Sequence, residues 1–386
     1  MTEQSSLQES NEPLAAGKVR RVPQKELRIA VLSDSLKDRN GVDAYYRDLV
    51  SHLQRHVAQV EYLTPNPEDG ELYTRFRFPM PGDSTQQVIF PHAPGLNARL
   101  KALQPHVIVA ATNGPFGLFA VYAARRLNAQ LVAGFHTLIE DLCGMYWGRV
   151  LGGVTRSYME LQNRIIFRNS ERVVVNSNSM IDSAANLSAT PVTLMGTPLD
   201  KLFVDTPICL PRQELKKVLY AGRLAPEKNI EGFIDCATQL PDLEFTIAGD
   251  GPLRADIEQH AATLPNLQFL GHLPRNEIVN SIDSHDLLVL PSHLEAFGTI
   301  ALEAMVRQRL VLVSSHCGIL SWQSLNEGLY QFSDEESVAE AIQRIAGLDT
   351  RQRDKKMRHA RETALQVHEQ AITGWLELFT ELSRAH

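Results

Sequence analysis

Short apolar runs recur along the chain in two series, each separated by helix-length segments, and this alternation restricts the fold more than any other feature. The first series opens with Leu27-Arg28-Ile29-Ala30-Val31-Leu32-Ser33 and continues at Val57–Leu63, Val107–Ala111, Leu131–Phe135, Val173–Val175 and Val192–Met195. The second opens with Val218-Leu219-Tyr220-Ala221-Gly222 and continues at Phe245–Ala248, Leu267–Leu270, Leu287–Leu290 and Leu310–Ser314. Strands this short and this apolar are buried on both faces, so each series implies a parallel sheet covered by helices on both sides. The expected class is α/β, with two doubly wound Rossmann-like domains. Gly196-Thr197-Pro198-Leu199-Asp200 closes the first series, and Lys201 to Leu215, with Pro207 and Pro211, reads as the connection. The divisions expected are a disordered tail over 1–26, rich in Ser, Gln, Glu and Pro, a first domain over 27–205, a second over 206–365, and a helical end over 366–386.

A chain of 386 residues with 44% hydrophobic content is long enough for two cores. Cys143, Cys209, Cys236 and Cys317 lie far apart without paired metal-ligand spacing, which points to a reducing compartment without disulfides or structural zinc. Residues 1–26 lack the apolar core of a signal peptide, and no apolar run approaches the ~20 residues that span a bilayer. A cytoplasmic protein is expected, at most peripheral on the cytoplasmic face of a membrane. Residues 1–200 hold 20 Lys and Arg against 19 Asp and Glu, and the remainder holds 18 against 26. The acidic second half disfavours a nucleic-acid partner, because phosphate-backbone binding needs a basic surface. The near-neutral first half is free to approach an anionic one.

Three helical stretches bear on function. After Asn40-Gly41-Val42 comes a helix expected to turn Ala44, Leu49 and Leu53 inward, with Gly41 able to bring the backbone close to a phosphate or simply to make the turn. The helix from about Phe116 to Leu127 reads as core through Leu118, Phe119, Val121 and Tyr122. From Trp147 to Phe167, Val150, Leu151, Val154, Tyr158, Leu161 and Ile165 stand at helical spacing among Arg149, Arg156, Arg164 and Arg168. The simplest reading is an amphipathic helix with its apolar side on the core and a solvated basic face; an interfacial membrane role is the sharper alternative.

The chemistry concentrates at carboxyl ends of expected strands. Asp286-Leu287-Leu288-Val289-Leu290 runs into Pro291-Ser292-His293-Leu294-Glu295-Ala296-Phe297-Gly298-Thr299, then into a helix carrying Glu303. Phe297, Gly298 and Thr299 would offer backbone N–H groups at a helix N-terminus, where donors and dipole favour an anion. Alone, Glu295 is an ordinary charge at a helix start and Glu303 a solvated one. The apolar neighbours of Glu303 argue instead that it is buried, and a buried carboxylate needs a partner. Gly222-Arg223-Leu224-Ala225-Pro226-Glu227-Lys228 offers a planar guanidinium fork and an ammonium, a pair suited to a diphosphate. Gly249-Asp250-Gly251-Pro252 reads as a structural helix-starting turn. His136 follows the strand ending at Phe135; by position alone a structural role is the commoner one.

Glu295, Ala296-Phe297-Gly298 and Glu303, with Arg223 and Lys228, resemble the signature of retaining glycosyltransferases with the GT-B fold, glycosyltransferase family 4 and glycosyl transferases group 1. The resemblance extends over about residues 28–345. It implies two Rossmann-like domains facing each other across a cleft, with the last helix packing back on the first domain. It further implies transfer of a hexosyl unit from a nucleotide diphosphate sugar, UDP- or GDP-linked, with retention. Glu303 would hold the ribose, Glu295 the sugar hydroxyls, Arg223 and Lys228 the diphosphate, with backbone help from Gly41, Phe297, Gly298 and Thr299, and His136 would face the donor sugar. The catalytic set so implied is His136, Glu295, Arg223 and Lys228. No Asp-x-Asp pair occurs, so no metal and no other cofactor are expected. Asn40-Gly41-Val42 and Gly134-Phe135-His136-Thr137 look most like the lipid-glycosylating branch, which implies a lipid acceptor and peripheral membrane contact.

The chain departs from the family after Glu303. Val306-Arg307-Gln308-Arg309-Leu310 stands where relatives carry a small-residue turn with Gly-Leu-Pro, and Cys317-Gly318 and Ser321 where they carry Gly-Gly and a further Glu. Two other readings therefore stay open, a sugar synthase or phosphorylase with a soluble acceptor and a non-catalytic nucleotide-sugar-binding protein. A nicotinamide-dependent dehydrogenase would want Gly-x-Gly-x-x-Gly after the first strand, which Ser33 to Val42 lacks.

Overall fold

The computed structural model describes residues 21–37, 40–65, 73–80, 83–136, 139–212 and 214–384. The first sheet is built from β1 (Arg28–Leu32), β2 (Gln59–Leu63), β5 (Val107–Ala110), β6 (Gln130–Gly134), β7 (Arg172–Val175) and β8 (Val192–Leu194). Its order is β2-β1-β5-β6-β7-β8, parallel throughout. The second sheet holds β9 (Lys217–Ala221), β10 (Glu244–Ala248), β11 (Leu267–Gly271), β12 (Leu287–Leu290), β13 (Leu310–Ser314) and β14 (Tyr330–Phe332), in the order β11-β10-β9-β12-β13-β14, also parallel. Strand order reverses beside β1 and beside β9, and such switch points open ligand crevices at the carboxyl ends of strands. Apolar clusters lie on both faces of each sheet, as the uninterrupted apolar runs require.

Several elements differ from the sequence reading. Residues 21–26 pack on the fold: Val22 is buried and its N–H donates to Ser383 Oγ at 3.2 Å. An antiparallel hairpin, β3 (Thr74–Met80) with β4 (Asp83–Pro91), was not expected. Phe76, Phe78 and Phe90 are exposed while Ile89 packs in the core, so apolar residues fall on both faces and no alternation marks it. In the helix Gly41–Leu53, Leu49 and Leu53 are buried, but Tyr45 and Tyr46 fill the interior while Ala44 is only half-buried. Tyr122, expected in the core, is exposed. The largest correction concerns the long helix, Ile139–Arg168. Its apolar stripe faces solvent, with Val154 66%, Tyr158 50%, Leu161 55% and Ile165 40% exposed. The side turned inward carries Gln162, Asn163, Ile166 and Phe167 instead. Thr137 lies outside the described residues, as does the side chain of Arg149.

The residues that depart from the family have a structural task. Arg307 is fully buried; it donates to Asp283 at 2.9 and 2.5 Å and to the carbonyls of Phe203, Thr206 and Pro207 at 3.2, 2.6 and 2.7 Å. Arg309 donates to Asp283 O at 2.7 Å and Cys209 O at 3.0 Å. Each guanidinium saturates carbonyls of the segment joining the domains, which no short turn residue could reach. Gln308 between them takes the left-handed conformation, φ 53°.

The C-terminal helix runs unbroken over Thr350–Leu382, longer than the sequence suggested, with Asp349 capping it through Arg351 N. Ala360, Ala364 and Val367 pack in the second domain, whereas Ile372, Trp375, Leu376 and Phe379 join the core of the first. Trp375 is fully buried, and its Nε1 donates to Tyr45 Oη at 2.9 Å, which in turn donates to Gly196 O at 3.0 Å. A Cβ on Gly196 would meet Val367 O at 2.7 Å, so only glycine lets the helix lie so close. Trp375→Ala should lower the unfolding free energy by about 3–5 kcal/mol, and Trp375→Phe by about 1 kcal/mol for the lost hydrogen bond. Denaturant titration measures both; equal losses would contradict the packing argument.

At the carboxyl end of β1, Asp34 ties the sheet to the helix Pro115–Leu127. Thr112 Oγ1 donates to Asp34 Oδ2 at 2.6 Å and Phe116 N to Oδ1 at 2.9 Å. Burial raises the Asp34 carboxyl from the ordinary 3.8 to about 6, against the opposing pull of these donors. A raised acid stabilises the fold most below its unfolded value and loses that contribution as pH climbs through the folded one. Between pH 4 and pH 7 the wild type should therefore lose about 2 kcal/mol relative to Asp34→Asn. Unfolding the two proteins in parallel across that range checks it, and a pH-independent difference would overturn it.

Candidate active site

Between the two sheets lies a cavity of about 610 Å³, lined from both domains at the carboxyl ends of β1, β5 and β6 on one side and β9, β10 and β12 on the other. All nine residues singled out in the sequence, Gly41, His136, Arg223, Lys228, Glu295, Phe297, Gly298, Thr299 and Glu303, line it.

The wall from the second domain is built by the loop between β12 and the helix Thr299–Val306. Gly298 takes φ +94°, a left-handed turn that costs a glycine little, and a Cβ there would meet Cys317 Sγ at 3.0 Å. The loop is held open by its neighbour: Gly318 N donates to Glu295 O and Ile319 N to Phe297 O, each at 2.8 Å. Cys317-Gly318 thus supports the Glu295 loop despite its departure from the family. The first N–H groups of the helix have no intrahelical acceptor and point their dipole at the cleft.

Across the cavity the helix Gly41–Leu53 also begins at the cleft, with Asn40 Oδ1 accepting from Asp43 N at 2.9 Å. A Cβ placed on Gly41 would stand 3.9 Å from Thr299 Oγ1. Two helix N-termini from two domains therefore confront each other, and the gap between them is electropositive without any side chain.

Two cations stand beside this gap, each held by a carboxylate. Lys228 Nζ donates to Glu295 Oε2 at 2.9 Å, both groups largely buried. Arg223 Nη1 donates to Glu227 Oε1 at 3.1 Å, Glu227 being buried under the loop. A Cβ on Gly249 would strike Gly222 O, so the Gly249 turn is pressed against the Arg223 loop, in keeping with a structural role.

Glu303 is buried, as its apolar neighbours implied, and its partner is one the sequence reading missed. Arg275 Nη1 lies 3.0 Å from Glu303 Oε1, and Arg275 Nη2 donates to Asp48 Oδ2 at 2.7 Å. Its Nε is 3.6 Å from Asp200 Oδ2. Burial pushes the Glu303 and Asp48 carboxyls above the ordinary range, and Arg275 opposes that shift in both. The available signal was position: Arg275 follows Gly271-His272-Leu273-Pro274, again at a strand's carboxyl end.

His136 is enclosed by Tyr45 and Tyr46. Its Nε2 is 2.9 Å from Tyr46 Oη, and its Nδ1 is buried without a hydrogen-bond partner. Burial lowers its pKa to about 3, so the ring is neutral at ordinary pH. Among the described residues no group of three or more His, Cys, Asp or Glu is placed to hold a metal ion.

Comparison with known proteins agrees with this geometry. Residues 208–364 match the family model of glycosyl transferases group 1, and residues 39–200 match glycosyltransferase family 4. The chain is 30% identical over 217 residues to a glycogen synthase of Mycobacterium tuberculosis, a match covering 54% of this chain and 51% of that protein, so the chain spans about half the length of that relative. It is 26% identical over 300 residues to a GDP-mannose-dependent alpha-mannosyltransferase of Mycolicibacterium smegmatis, covering 72% and 77% of the two chains. In fold it is similar to Anabaena HepE, solved in complex with UDP-glucose, with a TM-score of 0.66 at 15% identity over 92% of this chain and 98% of that one. With family 4 accounting for its first half and group 1 for its second, the chain belongs to the GT-B glycosyltransferases.

Proposed function

We propose that the chain transfers a hexosyl unit from a nucleotide diphosphate sugar to an acceptor hydroxyl, with retention and without a metal ion. The observation that carries this reading is the confrontation of the Gly41 and Thr299 helix N-termini, flanked by Arg223 and Lys228, which suits a diphosphate. Glu303 holds the ribose hydroxyls and Glu295 those of the sugar, with His136 donating or accepting at the sugar from the other domain. In the reaction the bond from the anomeric carbon to the diphosphate oxygen breaks, the acceptor oxygen bonds to that carbon, and the hydroxyl proton leaves with the departing diphosphate. The chief electrostatic task is the charge growing on that leaving group, which Arg223, Lys228 and the N–H groups of Gly298 and Thr299 face. Retention rests on analogy within the family. A UDP- or GDP-linked donor is favoured because one similar protein uses GDP-mannose and another was solved with UDP-glucose.

Release of nucleoside diphosphate from a panel of nucleotide sugars in excess EDTA tests this. Turnover is expected to survive the chelator, Glu303→Ala to raise the donor KM, and Glu295→Ala chiefly to lower kcat, since ribose contacts are uniform while sugar contacts strengthen at the transition state. Loss of turnover in EDTA that added divalent metal restores would sink the metal-free reading, and unchanged kinetics in both variants would make the Glu pair structural.

A lipid acceptor is favoured by the stripe on the helix Ile139–Arg168. Val154, Tyr158, Leu161 and Ile165 are exposed in line, Arg156, Arg164 and Arg168 are exposed beside them, and Tyr158 also lines the cleft. An apolar strip with basic flanks suits the membrane interface, each basic residue contributing about 1 kcal/mol near an anionic surface. Glu160, paired with Arg156 at 3.0 Å and Arg164 at 3.5 Å, reduces that gain. Co-sedimentation with anionic vesicles should fall as salt rises and weaken severalfold when Val154, Leu161 and Ile165 are changed to Ser. No binding at low salt, alongside turnover on a soluble acceptor, would rule the lipid reading out.

A further inference from the structure

His136 follows β6 and lines the cleft, and its two ring nitrogens stand in unlike surroundings. Nε2 lies 2.9 Å from Tyr46 Oη, while Nδ1 is enclosed without a hydrogen-bond partner. Tyr45 lies over the ring, with 4.6 Å between centroids, and its own hydroxyl is committed elsewhere, accepting from Trp375 Nε1 and donating to Gly196 O. Tyr46 is fully buried, and among the described residues its hydroxyl forms no hydrogen bond other than the one to His136. Gly134 makes room for that contact: a Cβ there would strike Tyr46 Oη and stand 3.0 Å from His136 Nε2.

These surroundings decide which nitrogen carries the proton of the neutral ring. Burial holds the Tyr46 hydroxyl well above its ordinary pKa, so it always has a proton to give. If His136 were protonated on Nε2 and donated to Tyr46 Oη, the phenol proton would be enclosed without an acceptor and Nδ1 would be enclosed with a bare lone pair. If Tyr46 donates to Nε2 instead, the phenol proton is satisfied and the ring proton sits on Nδ1, in want of one acceptor. Enclosed polar groups left unpaired are costly, so the arrangement with a single orphan, at a residue that lines the cavity, prevails over the one with two.

We propose that Tyr46 is a positioning residue: by donating to Nε2 it holds His136 as the Nδ1–H tautomer, so that the ring offers the donor sugar a hydrogen-bond donor and not an acceptor. This rests on the reading above in which His136 meets the donor sugar, and it fixes the direction of their hydrogen bond. The two domains then play opposite parts at the sugar, the Glu295 carboxylate accepting from its hydroxyls and His136 donating to one of its oxygens.

Nitrogen-15 labelling of histidine in the intact chain, read by long-range nitrogen–proton correlation, tests the tautomer without substrate; the His136 signals are those lost in His136→Asn. The wild type is expected to show a protonated Nδ1 and a bare Nε2. Tyr46→Phe keeps the aromatic ring that packs on Tyr45 and Trp375 and removes only the hydroxyl, so its spectrum should move toward Nε2–H or an average of the two forms. The same variant should bind UDP and GDP as the wild type does, keep the donor KM within about twofold and lose about tenfold in kcat. A bare Nδ1 in the wild type, or a tautomer unchanged in Tyr46→Phe, would overturn the proposal and leave the donor reading intact. So would a changed tautomer with unchanged kcat, since turnover would then be indifferent to the direction of the hydrogen bond. Absence of nucleoside diphosphate release by the wild type from every nucleotide sugar would instead overturn the glycosyltransferase reading, and the use of the tautomer at a sugar with it.

Discussion

The guanidinium of Arg275 stands where the two domains and the segment between them meet. It lies against Asp48 on the first-domain helix, Asp200 at the end of that domain and Glu303 on the second-domain helix, and its fork stacks on Phe203 with 5.0 Å to the ring centre. Two of these carboxylates are buried, and burial alone would neutralise them. Leaving a buried charge uncompensated typically costs about 3–5 kcal/mol, so the carboxylates and the closeness of the domains are tolerated together or not at all. The position of Glu303 in the cleft is thus held by the same contact that brings the Gly41 helix up to it.

That placement gives the cleft its division of labour. Cations gather where the second domain presents its strand ends and amides where the first does, while each domain points one helix N-terminus at the cleft. A fixed array of dipoles needs no reorganisation when charge develops on a leaving group, which suits it to catalysis more than flexible charges in water. The departures after Glu303 do not disturb this array, because Arg307 and Arg309 are spent on the connecting segment and Cys317-Gly318 still supports the Glu295 loop.

The sheets were legible in the sequence because parallel strands buried on both faces leave uninterrupted apolar runs. Glu295 and Glu303 were placed correctly for a related reason: strand, loop and helix follow one another within 20 residues, so local pattern carries the geometry. Features that depend on distant partners were not legible. Arg275 is 227 residues from Asp48, and nothing near it in the chain signals the pairing. Spacing on the helix Ile139–Arg168 gave the stripe correctly but could not say which side the neighbouring elements cover. The covered side carries Gln162 and Asn163, which line the cleft, together with Ile166 and Phe167, and the stripe is bare. The hairpin of β3 and β4 escaped notice because its phenylalanines face outward and mark no core.

The chain passes between the domains twice, once through the segment after Asp200 and again along the helix Thr350–Leu382. These crossings touch each other: Leu199 N donates to His368 Nδ1 at 3.0 Å and Gly196 lies against Val367 O, while Leu199 O is 2.8 Å from His52 Nε2 on the first-domain helix. They form one joined connection instead of two independent straps. Gly41 and Thr299 sit on the two domains so joined, and the spacing of the two helix N-termini is therefore set by how the doubled connection holds one domain against the other.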